Sequence, residues 1–175
     1  MSPNVRASLA ALLFTFVGAL GFFVGGVWRY EVGVPLAVFY FLLVLNTFFS
    51  VRYFAAMTKP NDIVQNCFDA VLILFYIWLA FSLREPLQFA FVLTVFFGVT
   101  VLKYVLLRRG NLYRAIISRK MYMNAGGCAF SLLSLMLMGA GYVFPTVLVG
   151  TGAFIALTVY LLYVNPMYRT LPKTP

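Results

Sequence analysis

Residues 65–107 read QNCFDAVLILFYIWLAFSLREPLQFAFVLTVFFGVTVLKYVLL, and Arg84-Glu85 is the one place in that run where two charges adjoin. On each side of this pair lies an almost unbroken apolar stretch close to the ~20 residues that carry an α-helix across a bilayer. Two such stretches joined by a two-residue turn predict a transmembrane hairpin. The same pattern recurs along the 175 residues, predicting six spans at about 8–27, 33–50, 65–83, 86–107, 124–142 and 144–164. The expected fold is therefore an all-α integral membrane bundle of six helices, arranged as three antiparallel hairpins in one domain over 1–175.

Composition supports the bilayer as the solvent. The chain is 63% hydrophobic and 10% charged, against roughly 45–50% and roughly 25% in soluble domains. A soluble domain of this length could not bury so much apolar surface. The first span follows Arg6 and might be confused with a signal peptide. Its apolar run exceeds the roughly 7–15 residues of a signal h-region and no A-x-A site follows, so it reads as a true span.

The net charge of +9 has a topological explanation. Arg6, Arg52, Lys59, Lys103, Arg108, Arg109, Arg114, Arg119, Lys120, Arg169 and Lys173 fall on the side shared by both predicted termini, and only Arg29 and Arg84 on the other. That asymmetry obeys the positive-inside rule and predicts cytoplasmic N- and C-termini. No nucleic-acid partner is needed to account for it. The expected partners are the bilayer, its anionic cytoplasmic headgroups, and a second copy or a partner subunit in the membrane.

The outer connections are short, at 28–31, 84–85 and 143–145, so the accessible surface is expected in the cytoplasmic loops 52–64 and 108–123. The first loop closes with Asp62 and Gln65, the spacing of a helix capping box. In the second, Leu112, Tyr113, Ile116 and Ile117 share a helical face flanked by Arg114 and Lys120. Two readings fit: a short interfacial helix whose Arg108, Arg109, Arg114, Arg119 and Lys120 touch headgroups, or a basic loop that only sets topology.

Helices in lipid associate through close packing rather than hydrophobic drive, so small residues at helical spacing mark contact faces. Gly18, Gly21 and Gly25 form such a stripe in the first span, Gly127, Ser131 and Ser134 in the fifth, and Gly152 and Ala156 in the sixth.

Little in the chain can perform chemistry. There is no histidine, and Glu31, Asp62, Asp69 and Glu85 are the only acidic side chains. His-ligated metal, haem and Ser-His-Asp catalysis have no basis, and no cofactor is expected. Cys67 and Cys128 read as small packed residues. Asp69 is the exception, being placed inside a span. With Asn66 and Tyr76 it makes a polar stripe on one helical face, and folding about Arg84-Glu85 brings Lys103 to its depth. Asn46 lies at a similar level in the second span. Charges within a membrane face the bundle and pair, either as a binding site or as an ion pair locking the hairpin. The expected function is a transporter or channel-type protein for an ion or small solute, with a polar site in the cytoplasmic half. The alternative is a non-catalytic subunit, assembly factor or headgroup-interacting scaffold; an enzyme is least expected.

Overall fold

The computed structural model describes residues 2–54, 62–109, 113–166 and 168. Lys59, Leu112, Arg169 and Lys173, named above for charge or amphipathicity, lie outside the described residues. The elements are helices α1 (Pro3–Val24), α2 (Gly33–Phe54), α3 (Ile63–Phe81), α4 (Pro86–Arg108), α5 (Arg114–Gly139) and α6 (Val143–Val159). All six, α3 and α6 with their trailing turns, are long and apolar enough to cross a membrane. By length and composition the chain is a multi-pass membrane protein.

Local chemistry sets the ends. Ser2 caps α1 through its hydroxyl, with Pro3 in the first turn, where a missing N–H leaves no bond unmade. The Asp62 carboxylate accepts the Gln65 backbone N–H at 3.2 Å and starts α3. Only half of the expected capping box forms, because the Gln65 side chain does not return to the cap. Between α5 and α6 the Tyr142 and Gly141 N–H groups donate to the Leu137 and Met138 carbonyls. Gly141 sits at φ +95°, so this is a Schellman stop, for which a left-handed glycine is suited. A single π-helical turn, Tyr160–Val164, continues α6.

One boundary differs from the sequence reading in a way that matters. The fifth helix begins at Arg114, not near Asn124, so residues 114–123 extend α5 rather than forming a loop or a separate interfacial helix. The cause is packing. Ile117 is fully buried against Tyr53, Phe54, Tyr104 and Leu107, with Tyr113 and Ile116 beside it. The apolar face assigned to the membrane surface is spent on α2 and α4 instead.

The helices close into a ring in the order α1, α2, α6, α5, α4, α3, each touching the next and α3 returning to α1. The α4–α5 interface is the most extensive and α5–α6 the least, so α5 leans mainly on α4 although it is joined by a tight turn to α6. At the end carrying the 27–33 and 82–86 turns the ring is filled. Val27, Tyr40, Leu79, Ala80, Leu83, Phe89 and Val92 are buried there in one cluster. Tyr40 is wholly buried and donates its hydroxyl to the Phe14 carbonyl at 2.9 Å and the Tyr76 carbonyl at 3.4 Å. Gly18 and Gly21 make this density attainable. A β-carbon on Gly18 would enter the Tyr40 ring, and one on Gly21 would meet the Ala80 carbonyl oxygen.

Candidate functional site

In the other half of the ring, away from those turns, the helices stand apart around a cavity of about 1000 Å³ lined by all six. Exposed Arg6, Asn66 and Asp69 stand at its rim. Deeper come Asn46, Gln65, Lys103, Lys120 and Asn124, then an aromatic floor and wall that includes Phe14, Phe97, Phe130 and Phe154. None of the plug residues Val27, Tyr40, Leu79 or Val92 lines it, so the cavity ends blind at the filled half.

The residues expected from the sequence meet here. Lys103 donates to the Asp69 carboxylate across the α3–α4 hairpin, the only ion pair among the described residues. The two partners are unequally shielded: the Lys103 side chain is 15% exposed and that of Asp69 55%. Asn66 lies on the rim one turn from Asp69. Tyr76 is buried, stacks on Phe14 with ring centroids 4.3 Å apart, and shares a hydrogen bond with Thr47. Asn46 is fixed by donating its amide to the Thr158 hydroxyl at 2.9 Å and the Leu42 carbonyl at 3.0 Å. Its carbonyl oxygen is therefore an acceptor, and it has no partner among the described residues.

Two more buried amides share that condition, the Gln65 Oε1 and the Asn124 Nδ2. The three residues are 8%, 5% and 6% exposed, and all three line the cavity. Buried polar atoms are normally satisfied, since leaving one unpaired costs about 1–3 kcal/mol. Three residues that carry such an atom line this one cavity.

The sequence reading missed Gln65 and Asn124 as site residues. Gln65 had been assigned to the cap. Asn124 enters the sequence reading only as the first residue of the fifth span, although its spacing one turn beyond Lys120 puts both on one face. Lys120 itself corrects an expectation. Expected at the headgroups, it is 8% exposed, lines the cavity and donates to the Tyr168 hydroxyl at 2.8 Å. Arg119 donates to the Asn165 carbonyl at 3.2 Å. Arg108, Arg109 and Arg114 border a shallow surface depression and are exposed.

The packing stripes divide as well. Gly18 and Gly21 pack closely on Tyr40 and Ala80, whereas the atoms nearest Gly25 belong to Gly21 and Val27 in its own turn; a β-carbon on Gly127 would stand 3.0 Å from the Phe97 ring. Ser131 and Ser134 are buried, donating to the Cys128 and Phe130 carbonyls. Gly152 and Ala156 do not pack within the bundle: both are exposed, and a β-carbon on Gly152 would meet nothing within 4 Å. The contact face of α6 runs instead through Val147, Gly150, Thr151 and Thr158, with Thr151 donating to the Pro35 carbonyl on α2. Among the described residues, no three His, Cys, Asp or Glu side chains are grouped to hold a metal ion.

Comparison with known proteins gives no match: no family model, no curated protein and no solved structure is similar to this chain.

Proposed function

We propose that the protein is a transporter or channel-type membrane protein that admits a small solute to the cavity from the cytoplasm, without catalysing a reaction. The observation that carries this is the cavity itself: open-rimmed, lined by all six helices, and holding unpartnered amides of Asn46, Gln65 and Asn124. A packed, dry bundle would suit a purely structural subunit better. The hairpins place Arg6, Arg52, Arg108, Arg109 and Arg114 at the ends nearest the cavity and Arg29 and Arg84 at the far turns. By the positive-inside rule this supports cytoplasmic termini and a cavity that faces the cytoplasm. Asp69 and Lys103 then guard the entrance.

The subunit reading keeps one observation in its favour, the outward Gly152 and Ala156 on α6, which would suit a second helix lying against that face.

Cysteine labelling separates the two. Asn124→Cys is placed in a chain whose Cys67 and Cys128 are replaced by Ser, then treated with a charged, membrane-impermeant thiol reagent. Only a thiolate reacts, so labelling requires water at the site. Labelling from the cytoplasmic face is expected, while the lipid-facing control Leu133→Cys stays unmodified. Protection of Asn124→Cys from both faces refutes the open cavity and leaves the subunit reading.

A further inference from the structure

The charge and shape of the cavity define its occupant more narrowly than "small solute". Asp62 is occupied at the α3 cap and Asp69 at Lys103. Lys120 is left as a buried ammonium whose partner is the neutral Tyr168 hydroxyl, with none of the four acidic side chains within ion-pair distance. A buried cation without a counter-charge is unfavourable, and an anionic ligand would relieve it. One turn along the same helix, Asn124 also lines the cavity, and its Nδ2, enclosed and without a partner, becomes a second donor there when the amide turns towards the ligand.

Two donors one helical turn apart suit an acid group with two oxygens. Beyond them the cavity turns apolar along Phe97, Phe130 and Phe154, where nothing would engage an inorganic ion. The Phe97 and Phe130 rings settle against Gly127 and Gly150, where a β-carbon would stand 3.0 Å and 3.5 Å from them.

We propose that the cavity binds a single-chain amphipathic anion, its carboxylate or phosphate held by Lys120 and Asn124 and its hydrocarbon chain laid along Phe97, Phe130 and Phe154. This rests on the open cavity proposed above and names what enters it. The Asn46 carbonyl oxygen, fixed as an acceptor by its bonds to Thr158 and Leu42, serves a hydroxyl or amide N–H on the ligand near the acid. The acid group enters at the polar rim, and the weak α5–α6 interface gives the chain a lateral way in from the membrane.

The test uses the purified full chain in maltoside micelles, with equilibrium binding of four radiolabelled probes corrected for uptake by empty micelles. Oleate and oleyl phosphate distinguish the two acids. Oleyl alcohol has the chain without the charge, and inorganic phosphate the charge without the chain. Saturable binding of at least one acid is expected, with the alcohol and inorganic phosphate each weaker by about tenfold or more, the loss that follows from removing a charged partner or an apolar one. Lys120→Met should bring the acid down to the level of the alcohol, and Lys120→Arg should preserve it. Equal binding of acid and alcohol overturns the proposal, as does Lys120→Met binding the acid like wild type. Should Lys120→Met fail to fold, the wild-type comparison decides alone, joined by Ala153→Trp, which fills the apolar wall and should abolish acid binding. Water-accessible Asn124→Cys with no preference for acids refutes this ligand class and leaves the solute-binding reading standing. A protected Asn124→Cys refutes both.

Discussion

The unequal shielding of Asp69 and Lys103 predicts an unequal response to losing either one. Asp69→Leu strands the Lys103 ammonium, whose side chain is 15% exposed. Removing one partner of a fully buried pair costs about 3–5 kcal/mol, and the flexible Lys stem lets its charge move towards the rim, which lowers the expectation to about 1–3 kcal/mol. Lys103→Met strands Asp69, which is 55% exposed and can be hydrated where it stands. Its loss should therefore resemble that of a surface pair, under about 1 kcal/mol. The double replacement removes both charges and adds apolar bulk in place of each, so it should recover most of what Asp69→Leu loses. Reversible unfolding in mixed micelles, followed by helical circular dichroism, measures all three against wild type. The reasoning is refuted if Lys103→Met costs as much as Asp69→Leu, or if the double variant is no more stable than Asp69→Leu alone. A folded double variant also isolates function: if the pair guards the cavity entrance, its ligand binding changes although its stability does not.

Gly21→Ala should be destabilising by about 1–3 kcal/mol, because the new methyl meets the Ala80 backbone, which cannot rotate away. Gly152→Ala, with open space around it, should lie within about 0.5 kcal/mol of wild type in the same unfolding assay; a loss comparable to Gly21→Ala would mean that another chain covers α6. Tyr40→Phe removes hydroxyl bonds to two carbonyls that already serve their own helices, so about 0.6 kcal/mol and no more than about 1.7 kcal/mol should be lost on unfolding. A reporter active only in the cytoplasm, fused after Pro175, should be active; an inserted but silent fusion reverses the orientation.

The helices were legible in the sequence because their signal is the bilayer's demand for apolar length, and a turn such as Arg84-Glu85 interrupts it cleanly; the last turn, expected at 143–145, lies at 140–142 because Val143 already opens α6. The pairing of Asp69 with Lys103 was legible for a similar reason, since depth on either side of a short turn follows from counting residues. The ring order was not. A turn makes α5 and α6 consecutive, but the depth of the α4–α5 contact comes from side-chain fit, with Gly127 receiving the Phe97 ring, and periodicity does not reveal which face finds which neighbour. The same limit explains α6, where Gly152 and Ala156 looked like a contact stripe while Gly150 and Thr151, on a different side of a helix that turns about 100° per residue, make the actual contact. Lys120 was misjudged because a basic segment after an arginine-rich break resembles a loop. Only the burial of Ile117 shows that the helix runs through it.

The two halves of the ring place opposite demands on the same helices, and this asymmetry is what makes a passage reading physically specific. At the turn end, Gly18 and Gly21 bring α1 against Tyr40 and Ala80 so closely that no solute can pass. At the other end, polar residues on α2, α3, α4 and α5 line the cavity between the helices. A solute that reaches Asn46 in this state can leave only as it came, or sideways between α5 and α6. Passage across the membrane therefore requires a second state in which the Tyr40 plug opens. The contacts that hold it shut are the buried cluster around Leu79, Leu83 and Val92, a tyrosine hydroxyl on two carbonyls, a stacked Phe14–Tyr76 pair and two glycine approaches. Packed interfaces of this kind switch between discrete arrangements rather than deforming gradually. A ligand drives such a switch only by binding the two states unequally. Phe14 and Tyr76 both join the cavity to the plug, because each lines the cavity while its backbone carbonyl accepts the Tyr40 hydroxyl. If a solute does cross the membrane here, this stacked pair is where occupancy of the polar half would meet the seal of the apolar half.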